Sequence, residues 1–348
     1  MSGVIKVLVV DDSAYVRKVV AQMLSRSPFI EVAGTARDGQ EALDLADEIR
    51  PDVITCDLNM PEMGGVDFVQ EQMSRRPVPI IIISVANGVG EQVLAALDAG
   101  AIDFLQKPTA LASDRLLDMG DELVQKVKAA AEAPMHLAEP AALGVAAAPL
   151  PATIRPAGSG AVDVVVIGIS TGGPQALKVL IPRLPQDFPV PVCMVLHMPP
   201  GYTELYAAKL DQMTPLRVKE AAEGDELVPG LALLAPAGRH LTFRRRGARV
   251  VCHLDVRPLD TLHRPSVDVM FQSAAEIFGA RTLGVVMTGM GSDGRDGSAW
   301  IKGAGGRILT EAESSCVVYG MPRSVSEAGL SDAAVPLAEM AEAILEWI

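Results

Sequence analysis

Aromatic side chains are scarce in this chain: Phe, Trp and Tyr together supply 4% of its 348 residues. Its cores must therefore be built from Val, Ile, Leu, Ala and Met. Cysteine is equally sparse. Cys56, Cys193, Cys252 and Cys316 form no C-x-x-C pair, which excludes a zinc knuckle and a dithiol redox motif. Three of them lie within apolar runs and read as small buried hydrophobes. No apolar run approaches the roughly 18 residues of a membrane-spanning helix, so no membrane insertion is expected. Met1 leads almost directly into a short apolar strand, so an export signal is not expected either. Positive charge is in deficit, with 30 Lys and Arg against 43 Asp and Glu and a net charge of -13. A surface of that sign is repelled by phosphate backbones, which argues against a nucleic acid partner. The local exception, Arg244-Arg245-Arg246, reads as a solvated hairpin turn. A cytoplasmic protein is the expectation.

Hydrophobic residues are nonetheless plentiful, at 49%, which excludes wholesale disorder. The length exceeds what one core usually serves and suits two domains of roughly 130 to 190 residues. Residues 129–161 hold 13 Ala, 5 Pro and 3 Gly with no periodic apolar face. Such composition makes an extended, semi-stiff linker, and His136 within it reads as a solvated linker residue. Domains are expected at 1–128 and 162–348.

Before the linker, apolar runs at Ile5–Val10, Val53–Cys56 and Ile80–Ile83 read as buried parallel strands. Between them Val16, Val19, Val20, Met23 and Leu24 keep helical spacing, as do Ala42, Leu45, Ala46 and Ile49. This alternation predicts a doubly wound α/β sheet, with ligands at the carboxyl ends of its strands. After the linker the pattern resumes with strands at Asp163–Ile169, Pro191–Leu196 and Thr282–Met287. Residues 231–254 read as strand, turn, strand around Arg246-Gly247, an antiparallel excursion from a second α/β domain.

The first domain's chemistry lies at strand ends. Strand 1 ends in Asp11-Asp12, strand 3 in Asp57, and a late strand runs into Lys107-Pro108. Ends on one edge of a parallel sheet converge, so three carboxylates and one ammonium meet. Clustered carboxylates repel unless a cation is present, and a hard divalent ion with oxygen ligands, Mg2+, suits them. Such an ion neutralises a phosphoryl group in transfer and leaves one carboxylate as nucleophile, with Lys107 pairing the phosphoryl oxygens. Each acid alone reads equally well as a cap; the set does not.

The run Asp57-Leu58-Asn59-Met60-Pro61-Glu62-Met63-Gly64-Gly65-Val66-Asp67 resembles the phosphorylation loop of response-regulator receivers. Asp11-Asp12, Ser84 and Phe104 also match, over about residues 4 to 127. The resemblance implies a flavodoxin-like (βα)5 fold. It implies Asp57 phosphorylated by a histidine kinase, and Mg2+ held by Asp12, Asp57 and the Asn59 backbone, with Asp11 nearby. Ser84 and Phe104 would be the switch pair, with Lys107 drawn to the phosphate.

In the second domain the strand at Asp163–Ile169 runs into Gly168-Ile169-Ser170-Thr171-Gly172-Gly173-Pro174. Gly168-x-Ser170-x-Gly172 is a nucleophile-elbow pattern, in which small neighbours allow a tight strand-to-helix turn. Free N–H groups at the helix start suit an oxyanion. The competing reading, a dinucleotide-binding turn, wants glycine where Ser170 stands. The hydroxyl needs a base. His197 follows the strand at Pro191–Leu196 and shares the edge with Ser170; His240 and His253 read as packing or surface residues, and His263 as a loop residue that can line the cleft. The base needs an orienting acid, and Thr288-Gly289-Met290-Gly291-Ser292-Asp293-Gly294 delivers Asp293 to the same edge, near a helix N-terminus.

Gly168–Gly173, His197-Met198-Pro199-Pro200-Gly201, Arg264-Pro265-Ser266-Val267-Asp268-Val269, Thr288–Gly294 and Cys316-Val317-Val318-Tyr319-Gly320-Met321-Pro322 resemble the catalytic domain of chemotaxis protein-glutamate methylesterases, the CheB family, across about residues 162 to 345. The resemblance implies a Rossmann-like parallel sheet, Ser170 as nucleophile, His197 as base and acid, and Asp293 as orienting acid. It places Thr171 and Met290 near the oxyanion. It implies hydrolysis of glutamyl γ-methyl esters on chemoreceptor cytoplasmic domains, glutamine deamidation by the same acyl chemistry, no cofactor for the ester reaction, and a chemotaxis histidine kinase as phosphodonor. A monomer is the default. Two other readings stay open at this point: a phosphorylation-dependent docking module without catalysis, and an esterase for another ester. A DNA-binding output finds no helix-turn-helix pattern and the wrong charge.

Overall fold

The computed structural model describes residues 3–85, 90–107, 113–133 and 162–348. It divides into two compact units, Met1–Ala138 and Glu139–Ile348. Most of the linker expected at 129–161, His136 included, lies outside the described residues, as does Pro108; residues 129–131 complete a helix. Among the described residues no helix is long and apolar enough to cross a membrane.

The first unit alternates five strands and five helices among the described residues. The strands are β1 (Ile5–Val10), β2 (Ile30–Ala36), β3 (Val53–Cys56), β4 (Ile80–Val85) and β5 (Asp103–Lys107). The helices are α1 (Ala14–Leu24), α2 (Gly39–Ile49), α3 (Gly65–Arg75), α4 (Gly90–Asp98) and α5 (Ser113–Ala131). All strands run parallel in the order β2-β1-β3-β4-β5, the doubly wound arrangement expected. The reason is local: Val53–Cys56 is wholly buried, as a strand covered by helices on both faces must be. Helices α1 and α2 start at side-chain caps, Ser13 accepting from Val16 N and Asp38 from Glu41 N, which satisfies N–H groups that the helix itself leaves unbonded.

The second unit holds a seven-stranded parallel sheet. Its strands are β6 (Val164–Ile169), β7 (Val192–Leu196), β8 (Arg217–Glu220), β9 (Leu231–Leu234), β12 (Thr282–Val286), β13 (Arg307–Glu311) and β14 (Ala333–Val335), in the order β14-β13-β12-β6-β7-β9-β8. The strands β10 (His240–Arg246) and β11 (Arg249–Asp255) form a separate antiparallel hairpin that turns at Gly247, with Arg244, Arg245 and Arg246 exposed. The excursion is thus shorter than 231–254. Residues 231–234, apolar and fully buried, belong to the parallel sheet as β9. Covering helices include α6 (Gly173–Leu180), α7 (Thr203–Met213), α8 (Val267–Phe278), α9 (Arg295–Gly303), α10 (Met321–Glu327) and α11 (Met340–Trp347).

From β6 the chain first moves outward through β7, and only later returns to lay β12 on the other side of β6. The winding direction therefore reverses at β6, and a crevice opens at the carboxyl ends of β6 and β12, where open α/β sheets bind ligands. One wall of that crevice is α8, which lies close on β6: a β-carbon on Gly168 would meet Val267 Cγ1 at 2.2 Å. Phe271 of α8 is fully buried in a core with Val166, Val195, Leu233 and Phe243, which joins sheet, helix and hairpin. All four cysteines are buried thiols.

Phe271→Ala should destabilise the second unit by about 3–5 kcal/mol, the usual cost of emptying a buried phenyl site. Urea unfolding monitored on the full chain checks this; a loss under about 1 kcal/mol would show that the site collapses or is not central.

Candidate active site

In the first unit the strand ends bring together the acids expected there. Lys107 Nζ, from the end of β5, donates to Asp11 Oδ2 at 2.6 Å and to Asp57 Oδ2 at 2.7 Å. Carboxylate oxygens of Asp11, Asp12 and Asp57 lie within 4.8 Å of one another. Burial pushes the Asp11 carboxyl up, an effect that Lys107 only partly offsets. Burial alone would lower Lys107, but the Asp57 and Asp11 carboxylates hold it above its ordinary value. Three acids against one ammonium leave excess negative charge in a mostly buried oxygen pocket, which fits a hard divalent cation. Ser84, at the end of β4, is 1% exposed and its Oγ has no hydrogen-bond partner. Phe104 is buried in β5, and Asn59 is exposed two residues past Asp57.

In the second unit Ile169 of β6 pairs with Leu196 of β7. Ser170 and His197 are therefore the first residues beyond two neighbouring strand ends, and His197 N still donates to Ile169 O at 3.3 Å. Ser170 is held from the other side by the segment that follows β12, its N–H donating to Thr288 O at 3.0 Å. The turn into α6 closes with Gly173 N donating to Ser170 O at 2.7 Å. Gly172 takes φ +79° there, and a β-carbon on it would meet Val317 Cβ at 2.5 Å. Pro174 stands in the first turn of α6, where its missing N–H costs no helical bond.

The imidazole of His197 is fixed on its two sides. Its Nε2 meets Asp293 Oδ2 at 2.8 Å, and His263 stacks on the ring at 4.1 Å between centroids and 20° between planes. Its Nδ1 is buried and has no hydrogen-bond partner. Nε2 faces the acid, so Nδ1 is the nitrogen left to exchange a proton with a nucleophile. In the chymotrypsin arrangement the two nitrogens have opposite duties.

Asp293 does more than orient this ring. Its Oδ1 accepts from Ser266 Oγ and Asp268 N, both at 2.9 Å, and its Oδ2 accepts from Val267 N at 2.8 Å. Asp293 stands just before α9, near a helix N-terminus as expected, and its carboxylate also receives the first amides of α8. Asp268 returns the clasp: its Oδ1 accepts from Gly294 N at 2.9 Å and Gly297 N at 2.7 Å at the start of α9. Burial alone would raise Asp293; the His197 bond and the α8 amides hold it well below the usual carboxylate range. Burial and the Asp293 charge push Asp268 up.

Thr171 is buried and its carbonyl accepts from Thr288 Oγ1 at 2.9 Å. Met290 is half-buried between Gly289, whose carbonyl accepts from Gly320 N and Met321 N, and Gly291 at φ +88°. Ser170, His197 and Asp293, with Thr171 and Met290, thus sit at one rim of the second unit. His240 does not join them. It is fully buried, its Nδ1 accepts from Ser266 N at 3.2 Å, and its Nε2 lies 3.1 Å from Pro258 O, so its proton is assigned to Nε2. His253 contacts Glu223 at the surface. Sequence reasoning left Ser266, Asp268 and Thr288 without roles. A Ser three residues before Val269 is a cap signal for α8, but no local pattern announces that the same helix end would receive Asp293.

The sequence profile of the CheB methylesterase family matches residues 165–344, and that of the response regulator receiver domain matches 7–119. A Myxococcus xanthus protein named protein-glutamate methylesterase/protein-glutamine glutaminase 5 is 49% identical over 97% of this chain and 96% of its own length. A Pyrococcus horikoshii protein-glutamate methylesterase/protein-glutamine glutaminase is 40% identical over 100% of this chain and 95% of its own. Among solved structures, the Thermotoga maritima CheB methylesterase catalytic domain shares 41% identity with a TM-score of 0.53, covering 54% of this chain and all of that one.

A β-carbon on Gly289 would lie 2.8 Å from Ser170 Cβ and 3.1 Å from Ser170 N. Gly289→Ala should displace Ser170 and slow its reaction with a fluorophosphonate probe by roughly 100-fold, the scale of an ångström's misplacement. A reaction at the wild-type rate would mean that this loop does not set the position of Ser170.

Proposed function

Because this chain belongs to the CheB methylesterase family and carries a response-regulator receiver domain, we propose that Ser170, His197 and Asp293 hydrolyse glutamyl γ-methyl esters on the cytoplasmic helices of chemoreceptors. The enzyme is a carboxylic-ester hydrolase under receiver control. The observation that carries the residue assignment is the His197 ring, tied through Nε2 to Asp293 and left with a buried, unpartnered Nδ1 beside the strand end that bears Ser170.

Ser170 Oγ attacks the ester carbonyl while its proton passes to His197 Nδ1. Asp293 holds the Nε2 proton and stabilises the imidazolium that forms. Negative charge on the tetrahedral oxygen is met by backbone N–H groups near Thr171 and Met290 and by the positive end of α6. The imidazolium returns its proton to the departing oxygen, and methanol leaves an acyl-enzyme. Water, deprotonated by His197, then releases glutamate and restores Ser170. With a receptor glutamine the same steps expel ammonia.

Asp57 is the phosphoryl acceptor, supplied by a chemotaxis histidine kinase in the cytoplasm. Asp11, Asp12, Asp57 and the Asn59 backbone would hold Mg2+, whose charge offsets that of an incoming phosphoryl group. Lys107, now bonded to Asp11 and Asp57, pairs the new phosphoryl oxygens, and the unpartnered Ser84 hydroxyl gains an acceptor. Phe104 follows Ser84 as the other half of the switch. The chain acts as a monomer.

Methanol release from methylated receptor membranes tests this directly. Wild type with a small phosphodonor should release methanol, and Ser170→Ala should release none while keeping its fold. Asp293→Asn should lose up to about 10⁴ in rate, as in triads whose acid is amidated. Near-normal turnover by that variant would remove Asp293 from the mechanism. Asp57→Asn should keep basal turnover and lose the response to the phosphodonor; an undiminished response would refute receiver control.

A further inference from the structure

The carboxyl group of Glu311 is fully buried behind the site, and the proton transfers described above make no use of it. Burial of a carboxylate is costly, and a well-packed apolar side chain would usually serve stability as well or better. Its contacts are specific. Glu311 ends β13, and its Oε2 accepts from Thr288 N at 2.9 Å. Its Oε1 accepts from Ser315 Oγ at 3.0 Å, and Ser315 Oγ in turn accepts from Leu337 N at 2.9 Å.

Thr288 lies two residues past the end of β12. One N–H earlier, Met287 still donates to Gly168 O at 2.9 Å. The Thr288 N–H instead turns to the Glu311 carboxyl. Every other polar group of Thr288 points at the nucleophile's own segment or its neighbour. Its carbonyl accepts from Ser170 N at 3.0 Å, and its Oγ1 donates to Thr171 O at 2.9 Å and accepts from Val318 N at 3.0 Å. Thr288 is 1% exposed, so none of these bonds is exchanged with water.

We propose that Glu311 is a positioning residue for the esterase reaction: its hydrogen bond fixes Thr288, and Thr288 fixes the Ser170-Thr171 backbone on which the attacking hydroxyl and the adjoining oxyanion contacts are carried. The inference rests on the function proposed above and adds the component that holds the nucleophile from behind. The acceptor atom is what matters. Burial pushes the Glu311 carboxyl up, and Oε2 accepts from Thr288 whether or not the group carries its proton on Oε1. Glutamine offers the same acceptor, and its amide can donate to Ser315 Oγ while that hydroxyl turns to Ala312 O, now 3.3 Å away. Methionine fills the space and accepts nothing useful. Glu311 lies behind the nucleophile and away from solvent, so its loss should change kcat and spare KM.

The test uses the full chain with a phosphodonor on methylated receptor membranes, with active sites counted by a fluorophosphonate. Glu311→Gln should keep kcat per titrated site within about threefold of wild type, and Glu311→Met should lower it by about 10- to 100-fold with KM within about twofold. A merely structural role would lower the number of titratable sites and the Tm but leave kcat per site alone, and that result overturns the proposal. So does equal damage by Gln and Met, which would make charge rather than acceptor geometry the cause. If Glu311→Met does not fold, Thr288→Val removes the clasp on Thr171 and Val318 at constant volume, and a normal kcat per site there is equally fatal. The rate at which Ser170 reacts with the fluorophosphonate reports the brace without any receptor. A wild type that labels normally but releases no methanol would refute the proposed substrate and leave the brace to be judged on labelling alone.

Discussion

The Asp293 carboxylate is the point on which the second unit's chemistry and its architecture both depend. It accepts from four donors: His197 Nε2, Ser266 Oγ, Val267 N and Asp268 N. Three of these belong to the start of α8, so the helix whose Phe271 closes the core is also the helix that presents amides to Asp293. A buried carboxylate without such donors would gain a proton and could no longer hold an imidazolium. His197 first, and the amides of α8 after it, keep the Asp293 carboxyl ionised, and Asp293 in turn sets the direction in which His197 points. The returned clasp from Asp268 to the first turn of α9 locks the loop that carries Asp293 against the same helix.

Both units place their chemistry by the same geometric rule. Parallel strands deliver side chains to a common edge, and whatever stands just past the strand ends is brought within reach. In the first unit that edge gathers three acids and Lys107, a cluster whose repulsion is relieved by a cation or by a phosphoryl group bringing its own cation. In the second unit it gathers an alcohol, an imidazole and one acid, with little net charge and several bonds spent on holding angles. The first cluster is suited to capturing charge and the second to moving a proton. A regulated hydrolase needs one of each.

Several buried polar groups in the second unit form a connected set. Glu311, Thr288, Thr171 and Ser170 are joined by backbone and side-chain bonds. In a medium of low dielectric such networks are worth keeping only when every member is satisfied. Among the described residues the buried polar atoms without a partner are Thr55 Oγ1, Arg76 Nε and Ser84 Oγ in the first unit and Arg183 Nε, His197 Nδ1 and His253 Nε2 in the second, of which Ser84 and His197 stand at the strand ends that gather the two clusters.

Much of this was legible in the sequence because it is local. Runs such as Val53–Cys56 and Val164–Ile169 read as buried strands, the glycines around Ser170 read as a tight turn, and strand ends named Asp11, Asp57, Lys107, Ser170 and His197 together. The motifs carried the rest of the roles by resemblance. What the sequence could not determine were pairings between residues far apart along the chain. That residues 231–234 join the parallel sheet is decided by their pairing with β7, a strand far back along the chain. That Asp293 receives the amides of α8, that His197 turns Nε2 to Asp293 and leaves Nδ1 without a partner, and that Glu311 stands behind Thr288 are decided by how helices and loops pack across the sheet. Apolar periodicity and turn chemistry act over a few residues and determine which elements form; the direction in which a side chain points, and the donor it meets, are settled only when distant elements close on one another and each buried polar group must find a partner.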